Sequence, residues 1–144
     1  MRGSLTLRLC AFLFVYGPIA LGAPQGVYAT DAWVAEGAPG AARLNAYMNL
    51  HNPTNENVAV IGATTTAAER VELRRSGRRG RVLGVEPRRK LVIPAGLGIR
   101  MQTKGPHFTL VHPKRALTAG DTVDFVLQLD NQTRLDVSAE IRRP

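Results

Sequence analysis

The sequence predicts an all-β fold, a single-domain β-sandwich or barrel. Apolar residues recur with period two in short runs, the pattern of strands with one buried face. Gly, Pro, Asn and Asp separate the runs, and no long apolar stripe of helical period occurs. Short strands at this spacing are typical of an antiparallel sandwich or barrel.

The first 29 residues have the features of a secretory signal peptide. Arg2 and Arg8 supply positive charge, residues 9–23 are largely apolar, and Val27-Tyr28-Ala29 has the small-residue pattern of a cleavage site. The apolar run is shorter than the roughly 20 residues that span a bilayer. We therefore expect cleavage after Ala29 and a periplasmic or secreted protein.

The predicted mature region, residues 30–144, has the size of one domain with one core. The single cysteine, Cys10, lies in the leader and follows Leu-Arg-Leu instead of the small residues of a lipoprotein signal. We expect it to leave with the leader. Disulfides, thiolate metal sites and a cysteine nucleophile are then excluded from the mature region.

The alternating runs predict strands along the whole mature region. The clearest are the last two, which residues 130–133 connect as a hairpin loop. In each of these two strands every second residue is apolar, so one face is expected to lie in the core. The predicted strands are residues 32–35, 46–51, 58–64, 70–75, 81–86, 97–102, 107–111, 121–129 and 134–142.

A series of short motifs follows the same order along the chain. They are Asp-Ala-Trp-Val at 31–34, Ala-Tyr-Met-Asn-Leu-His-Asn-Pro at 46–53, Val-Glu-Leu at 71–73, Ile-Pro-Ala-Gly at 93–96, Lys-Arg-x-Leu at 114–117 and Gly-Asp-Thr-Val at 120–123. In order and spacing the chain resembles the PCu(A)C family of periplasmic copper(I) chaperones. The resemblance implies a cupredoxin-like Greek-key sandwich that binds one Cu(I) through two Met and two His. It also implies copper delivery for cytochrome oxidase assembly, with a cuproprotein or an oxidase-assembly protein as partner.

Only one of the four ligand positions that the resemblance implies is kept. The family's first His corresponds to Arg74, and its first Met to Gly84, or to Val82 or Leu83 if the register slips. Its second His corresponds to His107, and its last Met to Thr109. The sequence therefore predicts a degenerate Cu(I) site with His107 as the sole inherited metal ligand.

The replacements matter because Cu(I) is a soft ion that prefers thioether and imidazole donors. With Phe108 and Leu110 directed into the core, His107 and Thr109 are expected to face out together. Thr109 offers only a hard hydroxyl. Arg74 stays protonated and offers no lone pair, so we expect it to repel a cation. Copper as a cofactor is thus implied by the resemblance and disfavoured by these residues.

Other donors are few. Met48 and Met101 share strand faces with apolar neighbours, which predicts that they fill the core. A surface site of His107 with His112 or His51 would suit Cu(II) or Zn(II) better than Cu(I). Otherwise His107 is a surface histidine without a metal.

A strongly basic segment runs from Arg74 to Lys90. It holds eight of the 19 Lys and Arg residues, against Glu86 alone, in a chain of net charge +8. Such a segment is either a solvated loop or a docking site for an anionic lipid or an acidic protein. Nucleic acid is disfavoured by export and by the lack of aromatic residues nearby. The eight are Arg74, Arg75, Arg78, Arg79, Arg81, Arg88, Arg89 and Lys90.

Enzymatic activity has no support in the sequence. The chain has three His and no mature Cys, and it carries no nucleophile-and-base motif or phosphate-binding Gly loop. We therefore expect a binding protein. The first hypothesis is a PCu(A)C-type copper-chaperone-like protein. The alternative is a metal-free module that docks on an anionic partner through its Arg-rich hairpin.

Overall fold

The described part of the chain is built from strands. The structure, a computed structural model, describes residues 25–76, 82–83 and 90–144, and this part contains no helix. Nothing in it therefore has the form of an apolar helix that could cross a membrane. The strands are β1 (Tyr28–Ala35), β2 (Arg43–His51), β3 (Val58–Thr65), β4 (Ala68–Ser76), β5 (Val82–Leu83), β6 (Leu91–Ile93), β7 (Gly98–Arg100), β8 (Pro106–Pro113), β9 (Thr122–Leu129) and β10 (Arg134–Arg142).

The strands form one curled sheet. Their order is β5-β4-β8-β2-β1-β10-β9-β3-β6, and β7 pairs with β2 beside this path. β1 and β10 are parallel, whereas the other described pairs are antiparallel. β3 and β4 contact each other without sharing a ladder, so the sheet curls around one core. This architecture confirms the predicted all-β fold.

The core is filled by the predicted period-two faces. In β9, Phe125 and Leu127 are fully buried, and in β10 the alternate residues Ala139 and Ile141 are buried as well. The intervening residues are mostly exposed. β9 and β10 pair in register, with Val137 opposite Phe125. The predicted hairpin is therefore confirmed, and hydrophobic burial fixes its register because a slip of one residue would expose the apolar face.

The region after β4 differs most from the sequence prediction. Of the strand predicted at 81–86, the described part is β5 at Val82–Leu83, and residues 84–89 lie outside the described ranges. A strand that was not predicted, β6, pairs antiparallel with residues Val58 to Val60 of β3. With only three residues, β6 is too short to give a periodic signal.

The predicted cleavage site falls inside β1. This strand begins at Tyr28, and its first two ladder pairs are Tyr28 with His51 and Ala29 with Leu50. The Tyr28 ring also stacks on the His51 ring, with centroids 4.8 Å apart. Cleavage after Ala29 would remove both pairs and the stacking contact. The cleavage position stays a prediction.

Candidate functional site

The residues matched to the copper-ligand positions meet on the outer face of β4 and β8, the face turned away from the hydrophobic core. Arg74 of β4 lies directly opposite His107 of β8, and Glu72 lies opposite Thr109. Because cross-strand partners project to the same side of a sheet, these four side chains are neighbours. The structure thus brings together Arg74, His107 and Thr109, as the resemblance implied. The fourth position, Gly84, lies outside the described residues.

His107 faces out from the core as expected, but it is buried, which corrects the interpretation of it as a surface histidine. Its exposed fraction is 3 %. The Tyr47 ring covers it from β2, with ring centroids 6.0 Å apart, and Trp33 of β1 packs on Tyr47 at 4.8 Å. A row of aromatic rings from neighbouring strands therefore forms a second buried layer on the outer side of the sheet. The period-two pattern predicts the side of the strand but not this cover.

The hydrogen bond of His107 fixes which nitrogen can bind a metal. Nδ1 lies 3.0 Å from the carbonyl oxygen of Gly105. A carbonyl can only accept, so Nδ1 carries the proton and donates it. In the neutral ring, Nε2 then holds the free lone pair. Metal-binding histidines are commonly held by a backbone carbonyl in this manner.

Thr109 is also buried, with an exposed fraction of 2 %. Its hydroxyl donates to the side-chain oxygen of Asn45 in β2 at 3.1 Å. The hydroxyl therefore completes a hydrogen bond between two strands and is not directed at a ligand. Thr109 thus faces out from the core beside His107, as expected, but it is covered and hydrogen-bonded there.

Arg74 is neutralised by a carboxylate that the sequence reasoning missed. Its Nη2 and Nε donate to Oε2 of Glu72 at 2.6 and 3.0 Å, and the other Glu72 oxygen accepts from Arg70 at 3.0 Å. The hydrogen bond from Arg74, followed by that from Arg70, holds the pKa of Glu72 below its ordinary value of 4.5. The signal was present in the sequence, since Glu72 stands two residues before Arg74 in a strand and must share its face.

The predicted core methionines are confirmed, and the described histidines do not come together as a second metal site. Met48 and Met101 are buried in the core cluster. The three histidines lie apart: His112 is bound to Glu69 at 2.8 Å, and His51 is bound to the Thr30 hydroxyl at 2.8 Å. His112 is five residues along β8 from His107, about 17 Å at strand spacing. In the described ranges, no three His, Cys, Asp or Glu side chains gather as metal ligands.

Comparison with known proteins places the chain in a family. Residues 27–141 match the family described as "Putative lipoprotein LpqE-like". The chain belongs to this family. A relative, "Putative lipoprotein Lxx21020" of Leifsonia xyli subsp. xyli (strain CTCB07), is 26 % identical over 119 residues, which cover 82 % of this chain and 70 % of the relative.

Solved structures similar to this LpqE-like chain include PCuAC domains and the protein DR1885. The copper-bound PCuAC domain from PmoF2 has a TM-score of 0.70 at 17 % identity and covers 85 % of this chain and 97 % of that domain. The Cu(I)-bound solution structure of DR1885 from Deinococcus radiodurans has a TM-score of 0.64 at 29 % identity and covers 86 % and 82 %. These similarities confirm the cupredoxin-like β-sandwich fold.

The basic segment divides into residues with different surroundings. Arg74 is only 16 % exposed and belongs to the ion pair with Glu72. Arg75 is exposed at the end of β4, and Lys90 is exposed just before β6. The predicted Arg-rich docking site therefore stays a prediction, with three of its eight residues in the described part of the chain. Its other members, Arg78, Arg79, Arg81, Arg88 and Arg89, lie outside the described ranges.

Membership in a lipoprotein family indicates an exported, envelope-associated protein. The leader predicted from the sequence agrees with export. The only cysteine, Cys10, lies outside the described residues, at the start of the apolar run of the leader. The site of cleavage and the predicted mature start at Thr30 stay predictions for this LpqE-like chain.

Proposed function

We propose that the protein is an exported, copper-chaperone-like binding protein of PCuAC type with a degenerate Cu(I) site at His107. The observation that carries the proposal is the placement of His107 on the face that it shares with Arg74 and Thr109, the other matched ligand positions. Its Nδ1 is held by Gly105, which leaves Nε2 as the single inherited donor. The fold similarity to copper-bound PCuAC domains supports copper as the ion.

One imidazole is too few ligands for tight, selective Cu(I) binding. At the position of the last Met, the Thr109 hydroxyl is hydrogen-bonded to Asn45. At the position of the first His, the Arg74 guanidinium is hydrogen-bonded to Glu72. Because the Glu72 carboxylate balances Arg74, electrostatic repulsion of the ion is weaker than the sequence alone suggested. A transient copper complex at His107 that a cuproprotein completes with its own donors is the function that this arrangement supports best. Copper delivery for oxidase assembly is the corresponding biological role.

A Cu(I) competition titration tests the proposal. The exported protein competes under reducing conditions with a colorimetric Cu(I) chelator, and His107→Ala is measured alongside. We expect weak uptake by the wild type that His107→Ala removes, since the variant lacks the only imidazole at this face. His51→Ala is the matched control, because it removes another imidazole that lies elsewhere in the fold.

Two results would contradict this function. Uptake that His107→Ala leaves unchanged would place any copper away from the matched face. Tight stoichiometric uptake by the wild type would mean that the site is not degenerate and that further donors complete it. A circular dichroism melt of each variant separates loss of binding from loss of folding.

A further inference from the structure

The two ends of the sandwich differ in whether their exposed basic side chains form ion pairs. The ladder registers define the first end, where β1 starts at Tyr28 opposite His51 and Arg75 of β4 lies opposite Pro106 of β8. β10 runs parallel to β1, so its first residue, Arg134, lies at this end too. We call this the N-terminal end. The opposite end carries residues 36–42 and 113–121 and the C-terminus.

Three cations at the N-terminal end are exposed and unpaired within the described residues. They are Arg75, Lys104 in the turn before β8, and Arg134. The exposed acids at or near this end include Glu56, Asp130 and Asp136, and Asp130 accepts a hydrogen bond from the Ala59 backbone at 2.9 Å. Arg75, Lys104 and Arg134 therefore have no ion pair with another described residue.

Most arginines at the opposite end are neutralised. Arg115 pairs with Asp121 at 3.3 Å, Arg143 pairs with Glu36 at 3.3 Å, and Arg142 pairs with Asp31 at 2.8 Å. Two other cations of this end, Arg43 and Lys114, are exposed and have no ion pair in the described ranges. They provide a matched pair of cations for a control at this end.

The N-terminal end also carries the most exposed large apolar side chain in the described residues. Leu97 is 62 % exposed, in the turn between β6 and β7. Its carbonyl accepts the backbone NH of Asn52 at 2.8 Å, and Gly98 pairs with His51. These backbone bonds place Leu97 at the same end as Tyr28.

We propose that the N-terminal end docks on an anionic membrane surface, with Leu97 entering the headgroup layer. Unpaired cations at the same end of a fold as an exposed apolar side chain are the combination by which peripheral proteins bind anionic lipid. An exported protein of a lipoprotein family works at such a surface. The docking requires no copper, so it stands apart from the function proposed above.

Docking in this orientation would also place the His107 site near the membrane. The pair Arg74 and His107 is the ladder step next to Arg75 and Pro106, at the end that faces the lipid. A membrane-bound partner would then meet the protein on the side where His107 lies.

Vesicle sedimentation tests the proposal with two charge-matched variants. The exported protein is mixed with vesicles of phosphatidylcholine, with and without phosphatidylglycerol, at low and physiological salt. R75E/K104E changes the N-terminal end, and R43E/K114E makes the same charge change at the opposite end. Each basic residue at an anionic surface raises affinity about fivefold. We expect R75E/K104E to weaken binding at least about 30-fold and R43E/K114E to retain most of it.

Further measurements distinguish binding through the N-terminal end from a general attraction of the positively charged protein to the vesicles. Binding to phosphatidylglycerol vesicles should fall as salt rises, because screening shortens the reach of the charges. Leu97→Ser, which leaves net charge unchanged, should weaken binding by a smaller factor. Equal losses in the two double variants, or no binding of the wild type to phosphatidylglycerol vesicles, would overturn the proposal. Thermal unfolding of each variant checks that the fold is intact.

Discussion

The two faces of β8 are equally buried but are buried by different means. Phe108 and Leu110 point into the core and are 1 % and 0 % exposed, whereas His107 and Thr109 point the other way and are 3 % and 2 % exposed. The core face is covered by apolar side chains from many strands. On the outer face, the Tyr47 ring packs against His107, and Thr109 donates a hydrogen bond to Asn45 of β2. Burial on the outer face therefore depends on a few polar contacts, which can change while the core is kept.

Truncations of adjacent residues in β8 should show the largest difference between the faces. Phe108→Ala leaves a cavity in the core and should lower the free energy of unfolding by about 3 to 5 kcal/mol. His107→Ala removes one hydrogen bond and one ring contact, and we expect a loss of about 1 to 2 kcal/mol. Urea denaturation of both variants measures the two values.

An equal or larger loss of unfolding free energy for His107→Ala than for Phe108→Ala would contradict the difference between the two faces. A loss for His107→Ala as large as that for Phe108→Ala would mean that the outer layer stabilises the fold as strongly as the core. The slope of the denaturation curve must stay equal to that of the wild type, since a changed slope reports a changed unfolded state. Leu110→Ala, on the core face, is the internal control and should resemble Phe108→Ala.

Restoring ligands on the outer face should turn it into a copper site. R74H/T109M adds an imidazole opposite His107 and a thioether two residues along β8, on one side of the sheet. Together with His107 this gives three soft donors. Altering even the outer surroundings of a metal site changes affinity about 10-fold to 100-fold. We therefore expect R74H/T109M to raise Cu(I) affinity at least about 100-fold in the chelator competition.

The control variant adds the same two residue types, one His and one Met, but places the new His at a different position. R70H/T109M places the new imidazole opposite Val111, on the same face but four residues from position 74. We expect it to bind Cu(I) much more weakly than R74H/T109M, because its donors cannot converge on one ion. Equal affinities of the two variants would show that the outer face does not retain the inherited geometry.

Much of the core and strand order could be predicted because hydrophobic burial repeats along each strand. Val123, Phe125, Leu127 and Leu129 were assigned to one face of β9, and all four are buried. β6 was missed because three residues carry no periodicity. A strand whose apolar pattern repeats over many residues can be predicted from the sequence. A strand that depends on one short backbone pairing cannot.

The candidate site was predictable in position but not in environment. Motif order located Arg74, His107 and Thr109, and the ladder pairs bring them together. Their surroundings come from residues distant in sequence, such as Asn45, and from an aromatic cover that no local pattern contains. Glu72 was available from strand parity alone, but its role appears only when both arginine side chains are seen to bond to it. Partners of a polar group are set by tertiary structure, so sequence reasoning underestimates them.

The smallest predicted effect concerns the charge balance of the outer face. Glu72→Gln keeps the shape of the side chain and removes its charge, and we expect a loss of about 1 kcal/mol of unfolding free energy at neutral pH. The pKa of Glu72 is lower in the folded protein than its ordinary value of 4.5, because Arg74 and Arg70 bond to the carboxylate. Its contribution is therefore fully present above pH 4.5 and is lost as the pH falls through the lower folded value. Denaturation of both proteins from neutral pH downward should show the difference shrinking below pH 4.5. A difference that stays constant to the lowest pH would mean that Glu72 acts through packing and not through its charge. Glu56→Gln is the control, because Glu56 is an exposed acid without an ion pair in the described ranges. We expect this variant to change the free energy of unfolding little at any pH.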